Sequence, residues 1–282
     1  MPSLTKNRLH WLQVGEGQYH SRMTWIDING HRTWAQLPKG KGPNVLLLHG
    51  GMSSSRSLLN AVGPGFSKFS KVTAFDRRGH GRTADTDAPF HYDDMAREVI
   101  AYLEYVGGRT HIVGHSDGGN IALLVAMRRP DLVKRIVTVG ANYHFDGLVA
   151  LDSFGPESEG FEQWAEKYAS LSPDGLAHAP IVARKSMMMF ATEPTLTTRD
   201  LATISRPVLV MSGDDDVVTL EHTCALYRAI PDAQLAIVPG SSHAVLKERT
   251  KECIRLIRHF LQSSLPVETF MPVRRATSEM PG

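Results

Sequence analysis

A serine stands between glycines in Gly114-His115-Ser116-Asp117-Gly118-Gly119, directly after the β-branched run Thr110–Val113 and just before the apolar stretch Ile121–Met127. A G-x-S-x-G at a strand-to-helix junction is a device for activating a hydroxyl. The tight turn lifts the serine Oγ clear of the sheet, small neighbours let strand and helix close up, and the helix aims its free N–H groups at the same point. A neutral hydroxyl is a poor nucleophile and needs a base. Of the thirteen histidines, His243 has the right placing, in the loop Gly240-Ser241-Ser242-His243-Ala244 after the run Ala233–Pro239. In a parallel sheet that loop emerges at the same carboxyl edge as Ser116. His80, in a Gly-rich turn, reads as structural, His111 as interior to a strand, and His115 as pointing to the opposite side of the turn from Ser116.

An imidazole used this way needs a carboxylate to fix its tautomer and stabilise its cation. The run Arg135–Gly140 is followed by no carboxylate before Asp146, whereas Pro207–Gly213 runs straight into Asp214-Asp215-Asp216. The chain must turn before an acid can point back at His243, which favours Asp216 and leaves Asp214 and Asp215 as solvated turn residues. An oxyanion needs two backbone donors. One is the N–H of Asp117, the residue after the serine. The other is expected from the loop after Val45–His49, where Gly51 N–H is the first choice and Met52 the alternative, with His49 bracing the loop. The Asp117 side chain, at the start of a helix, is suited to capping it.

These residues require strands that all deliver their ends to one edge. Residues 23–28 and 31–36 read as strands joined at Asn29-Gly30, a hairpin signal. Strands follow at 45–49, 71–75, 110–114, 135–140, 207–213 and 233–240. Helices are expected at 54–62, 92–106, 118–129, 220–230 and 247–263. Such alternation implies a mostly parallel, eight-stranded α/β sheet flanked by helices. Between the sixth and seventh strands the alternation stops, and residues 143–204 read as helices only, clearest at Gln163–Ser170 and Ile181–Phe190. The expected organisation is an N-terminal arm at 1–22, a core at 23–142 and 205–263, a helical cap at 143–204 and a flexible tail at 264–282. Met52, Trp164, Met188 and Asp117 are the candidate substrate-binding residues. The adaptable run Met187–Phe190 suits either a pocket for apolar groups or plain packing. Arg77-Arg78 reads as a solvated turn.

The 282 residues carry 31 Lys and Arg against 29 Asp and Glu, a net charge of +2, too little to attract nucleic acid or an anionic membrane surface. Cys224 and Cys253 lack metal or scaffold spacing and are expected to be reduced thiols. There is no phosphate-binding loop, dinucleotide fingerprint or metal-ligand cluster, so no cofactor and no metal is expected. No apolar run reaches the roughly 18–20 residues of a membrane span, and the first residues carry no export-signal core, so the expectation is a cytoplasmic protein. Its expected partner is a small-molecule substrate, and its state monomer or homodimer.

His49-Gly50-Gly51, the Asp76–Thr83 segment Asp-Arg-Arg-Gly-His-Gly-Arg-Thr, Gly114–Gly119, Ser212–Asp216 and Ser241–Ala244 occur together in an order and spacing that resemble the α/β-hydrolase fold family. The resemblance covers roughly residues 23–263. It implies a cofactor-free serine hydrolase with a Ser116–His243–Asp216 triad, a helical cap, and an acid three residues after the glycine that ends its strand, again Asp216. It places Gly51 and Asp117 at the oxyanion. The Ser-Asp-Gly-Gly version resembles the biphenyl-hydrolase-like or valacyclovir-hydrolase-like branch, where the matching aspartate is implicated in recognising a substrate amino group. A serine at position 116 argues against dehalogenase and epoxide-hydrolase chemistry, which needs a carboxylate there. Cleavage of a carboxylic ester is the expected reaction. C–C bond hydrolysis, lactone hydrolysis, acyl transfer and perhydrolysis are alternatives on the same residues, and a ligand receptor is the non-catalytic one.

Overall fold

The computed structural model describes residues 23–149, 154–264 and 269–271. The expected arm at 1–22 and most of the expected tail lie outside the described residues. Strands β1 (Met23–Ile28) and β2 (His31–Lys39) form an antiparallel hairpin in which Met23 faces Gln36 and Ile28 faces His31. Asn29 and Gly30 turn it with φ of 54° and 80°, the left-handed pair that a two-residue hairpin needs. β2 then lies antiparallel to β4 (Lys71–Phe75). From β4 onward every pairing is parallel, through β3 (Asn44–Leu48), β5 (Thr110–His115), β6 (Val133–Val139), β7 (Val208–Asp215) and β8 (Ala233–Ser242). The eight-stranded order is β1-β2-β4-β3-β5-β6-β7-β8.

Strand periodicity divides the core between the two faces of the sheet. Val45, Leu47, Val113, Val137 and Leu209 face one side, where they meet Phe66 of α1 (Ser55–Phe66) and Cys253, Ile257, Phe260 and Leu261 of α9 (Thr250–Gln262). Leu46, Leu48, Ile112, Ile136 and Val208 face the other, against α2 (Tyr92–Val106) and α3 (Asp117–Arg128). Continuous apolar runs in β3 and β5 are what a strand buried on both faces requires. α1 runs on past the expected 62 because Phe66, fully buried, packs its last turn onto the sheet. The expected helix at 247–263 is two, α8 (Val245–Glu248) and α9, because Arg249 leaves helical geometry at φ −126°, ψ 43° and donates from Nη2 to the Gly240 carbonyl at 2.8 Å. α7 spans Leu220–Ala229.

Between β6 and β7 the described residues form α4 (Phe161–Ala169), α5 (Ala179–Thr192) and α6 (Thr198–Leu201). The segment is not purely helical: His144 bridges Thr195, and Leu148 bridges Val218. Buried Asp85 in the loop after β4 fastens this segment to the core. It accepts from Lys185 Nζ at 2.7 Å, His178 Nε2 at 3.0 Å and Arg78 Nη1 at 3.2 Å, while its own N–H donates to Asp174 at 2.8 Å. Burial pushes the Asp85 carboxyl up, but the hydrogen bonds from Lys185 and His178 outweigh it and leave the acid below its ordinary value. A carboxylate depressed in the folded state stabilises the fold above its unfolded pKa and stops doing so as pH falls through the folded one. Asp85→Asn should therefore lower stability at neutral pH by about 1–3 kcal/mol, as expected for hydrogen bonds to a charged group, with the deficit closing below about pH 4. Denaturant unfolding of both proteins at several pH values measures this.

Candidate active site

Ser116 sits between β5 and α3 with φ 54° and ψ −123°, a conformation L-residues avoid. Its N–H donates to the Val139 carbonyl at 2.8 Å, and its carbonyl accepts from Gly119 N–H at 2.7 Å. The flanking glycines are needed for space. A Cβ on Gly114 would run into the Gly118 carbonyl, and a Cβ on Gly118 into the backbone and side chain of Leu48. Strand, helix and β3 thus close around the serine at backbone distance.

His243 and Asp216 meet as the sequence spacing predicts. Nδ1 of His243 lies 2.6 Å from Asp216 Oδ1, which also accepts from Val218 N–H at 3.1 Å, and Asp216 Oδ2 accepts from Ser212 Oγ at 3.1 Å. An ionised carboxylate only accepts, so Nδ1 is the donor and the Nε2 lone pair of the neutral ring is left free. Burial raises the Asp216 carboxyl, but the His243 hydrogen bond and charge, with the Val218 and Ser212 bonds, hold it below the usual carboxylate range. Asp214 and Asp215 are exposed, as expected, although Asp214 also accepts the Ser241 N–H at 3.0 Å and so steadies the loop that carries His243.

Ser116 and the His243–Asp216 pair flank the same turn, Val139–Gly140. Ser116 is bonded to Val139, and a Cβ on Gly140 would lie 2.9 Å from His243 Nδ1 and 3.0 Å from Asp216 Oδ2. No hydrogen bond joins the Ser116 hydroxyl to His243 among the described residues; bonds of this kind commonly tighten only when substrate binds. His115 does not point away, contrary to expectation. Its Nε2–H donates to the His243 carbonyl at 2.8 Å, and the two rings lie 4.9 Å apart. Burial and the neighbouring His243 lower His115 to about 4, so it braces His243 as a neutral ring.

The loop His49–Met52 packs against the serine turn, with the Cβ position of Gly50 only 3.1 Å from Ser116 Cβ. Arg77, expected in a solvated turn, is fully buried beneath this loop, donating from Nη1 to the His49 carbonyl at 2.5 Å and from Nη2 to the Gly50 carbonyl at 3.2 Å. His49 braces the loop as expected, its Nδ1–H donating to the Gly50 carbonyl at 2.8 Å and its Nε2 accepting from Arg77 N–H at 3.3 Å. Burial, with Arg77 close by, holds His49 well below its ordinary value and neutral. His80 is buried and structural, its ring bonded to the Arg78 carbonyl at 2.9 Å.

Two expectations for side chains are corrected. Asp117 is an acid in the first turn of α3, but the N-cap position is Ser116, and the Asp117 carboxyl turns to the core: its Oδ1 accepts from Tyr92 Oη at 2.8 Å, and its Oδ2 lies 4.0 Å from Arg77 Nη2. Burial raises this carboxyl although Arg77 and Tyr92 pull it down. Met188 is 64% exposed, on the face of α5 opposite Phe190. Phe190 is the residue that reaches the site, its Cζ 2.5 Å from the Cβ position of Gly51, where Asp117 Oδ2 is equally close. Trp164 and Met52 do meet, the indole Nε1–H donating to the Met52 carbonyl at 2.7 Å. Phe190 ends the apolar run Met187–Phe190, which signals contact without saying which residue makes it, and Arg77 stands in a charged segment that carries no sign of burial.

This arrangement can generate an alkoxide-like nucleophile beside backbone donors. Among the described residues no group of three or more His, Cys, Asp or Glu is placed to hold a metal ion, and no helix is long and apolar enough to cross a membrane. The family model described as "Alpha/beta hydrolase family" matches residues 45–256. A protein of Variovorax paradoxus named for carbamate hydrolysis, RutD, is 32% identical over 199 residues, covering 62% of this chain and 74% of that one. A 2-(acetamidomethylene)succinate hydrolase of Mesorhizobium japonicum is 23% identical over 84% of this chain and 94% of its own. Among solved structures, a meta-cleavage product hydrolase from Pseudomonas fluorescens superposes with a TM-score of 0.69 at 25% identity, covering 84% of this chain and 97% of that one.

Gly140→Ala tests the packing of the imidazole–carboxylate pair. Gly140 has φ +59° and no room for a Cβ. The substitution should destabilise the fold by about 1–2 kcal/mol from the backbone alone. It should also shift or abolish the low-field proton resonance of His243 Nδ1–H. Gly155→Ala, where a Cβ meets nothing within 4 Å, should leave that resonance unchanged.

Proposed function

The chain belongs to the alpha/beta hydrolase family, and from that premise we propose that it is a serine hydrolase cleaving a carboxylic ester, or a related acyl bond, of a small molecule. The observation that carries the reading is the 2.6 Å His243–Asp216 hydrogen bond, held at the same Val139–Gly140 turn that anchors Ser116. His243 Nε2 takes the Ser116 proton as Oγ bonds to the substrate carbonyl carbon, and the carbonyl π pair moves onto oxygen. The N–H groups of Gly51 and Asp117 receive that oxyanion. The oxyanion collapses, the leaving group departs with the proton from His243, and the acyl group stays on Ser116. Water, deprotonated by His243, repeats the sequence and frees the acid and the serine. Residues 143–204 act as the cap over this reaction, contributing Trp164 and Phe190.

Recognition of a substrate ammonium by Asp117 gains no support from the site. One carboxylate oxygen already accepts from Tyr92, and the Arg77 guanidinium faces the other. A second reading, hydrolysis of a C–C bond in a vinylogous diketone, is favoured by the likeness to the meta-cleavage product hydrolase and uses the same residues. Carbamate cleavage is a third substrate class with the same acyl chemistry, suggested by the relative from Variovorax paradoxus.

A fluorophosphonate probe should label Ser116 and no other residue. Ser116→Ala and His243→Ala should each lower kcat/KM on p-nitrophenyl acetate by a factor on the order of 10⁴ to 10⁶, because such groups act as a unit. Asp216→Asn should cost on the order of 10⁴-fold through the wrong tautomer. A Ser116→Ala protein with undiminished esterase activity sinks the reading. Rates on matched ester, carbamate and vinylogous diketone substrates decide among the three bonds.

A further inference from the structure

Three of the four carbonyls in the loop His49–Met52 are taken by side chains. Arg77 holds those of His49 and Gly50 from within the core, and Trp164, on α4, holds that of Met52 from the other side. We propose that Arg77 and Trp164 are positioning residues that set the oxyanion donor by gripping the carbonyl side of its loop. The inference rests on the serine-hydrolase reading above and deepens it.

The argument is peptide geometry. A trans peptide is planar, with its C=O and N–H pointing in opposite directions. Holding the Gly50 carbonyl on Arg77 Nη2 and His49 Nδ1 therefore turns the Gly51 N–H away from the guanidinium. Met52, at φ 50°, is in the left-handed region that a side chain disfavours, and the indole hydrogen bond to its carbonyl fixes the Met52–Ser53 peptide that closes the loop, so the loop is anchored at its far end as well. An oxyanion hole works because its donors are aimed before charge develops, so a loop free to turn its peptides loses that advantage.

Packing alone does not account for an arginine at 77. Taking a guanidinium fully out of water is expensive, and apolar residues of similar volume generally fill such a site at less cost. Here the charge is balanced by Asp117 at 4.0 Å, itself buried, and the planar fork reaches two successive carbonyls. A lysine carries the charge but cannot present two fixed donors. Trp164 adds that the grip is shared between the core and the segment between β6 and β7, so departure of α4 from the loop releases one side of it.

Trp164→Phe keeps the ring and removes only the donor; Trp164 is half-buried, so the variant should fold. Arg77→Lys is the second variant. The readouts are the thermal midpoint, kcat and KM on p-nitrophenyl acetate, and the inhibition constant of an alkyl trifluoromethyl ketone. Ser116 Oγ adds to that ketone's carbonyl carbon, the proton passes to His243, and the π pair becomes an oxyanion in the position of the reaction's own. Each variant should lose about 10-fold to 100-fold in kcat and weaken the ketone by a similar factor, with KM within about threefold of the parent. If a folded Trp164→Phe protein keeps both kcat and ketone affinity, or loses KM and kcat together with its thermal midpoint, the grip is merely structural and the proposal is overturned. Ser116→Ala separates the two levels. It should abolish tight ketone binding; if it binds the ketone as well as the parent, the serine-hydrolase reading falls, and this inference with it.

Discussion

Ser116 keeps a backbone conformation that costs on the order of 1–3 kcal/mol because nothing around it lets the chain relax. Its N–H is committed to Val139, its carbonyl to Gly119, and the glycines on either side are pressed against backbone. Every other distance at the site is measured from this turn. β6 must lie beside β5 for Val139 to accept the serine N–H, and β7 must lie beside β6 for Gly140 to donate to Met211. The loop after β8 must then bring His243 over Gly140. A parallel sheet supplies all of this because each strand ends at the same edge and each crossover returns to the opposite one.

The electrostatics of the site follow from what that packing excludes. His49 and His80 are buried and His115 is half-buried against His243, and all three are held neutral, so they serve as hydrogen-bonding struts. His243 is the ring that keeps a share of solvent, with its side chain 28% exposed. Its partner Asp216 has its side chain almost fully covered, yet its carboxyl lies below its ordinary value, since hydrogen bonds from His243, Val218 and Ser212 outweigh burial. The proposed chemistry needs this division: one imidazole open to the substrate, and neutral neighbours that only brace it.

How much of this was legible in the sequence depends on which interactions are local. The β-branched run ending in Gly-His-Ser-Asp-Gly identifies a strand, a turn and a helix from adjacent residues, and the spacing of His243 and Asp216 from their strands predicts their convergence. Arg77 was misread because its burial is decided by Asp117, His49 and Gly50, none of them near it in sequence. Asp117 was misread for a related reason. Position N1 of a helix suggests a local role, but Tyr92, 25 residues away, takes its carboxylate. Met188 and Phe190 stand two apart on one helix and so on opposite faces, and a run of four apolar residues carries no polar neighbour to say which face turns to Gly51. The direction of His115 is set by the His243 carbonyl, which lies 128 residues away in the sequence.

Asp117 shows what the fold gives up for the loop. A carboxyl whose folded pKa is raised binds its proton more tightly than in the unfolded chain, so ionised at neutral pH it subtracts from stability rather than adding to it. Its Oδ2 has no hydrogen-bond partner among the described residues, and neither has Arg77 Nε. An apolar pair of the same volume would remove both penalties. It would also remove the guanidinium fork that reaches from the core to the His49 and Gly50 carbonyl oxygens. The carboxylate makes the guanidinium tolerable, and the guanidinium makes the peptide orientation definite. Stability is lost at one buried pair, and the geometry beside Ser116 is what that loss sustains.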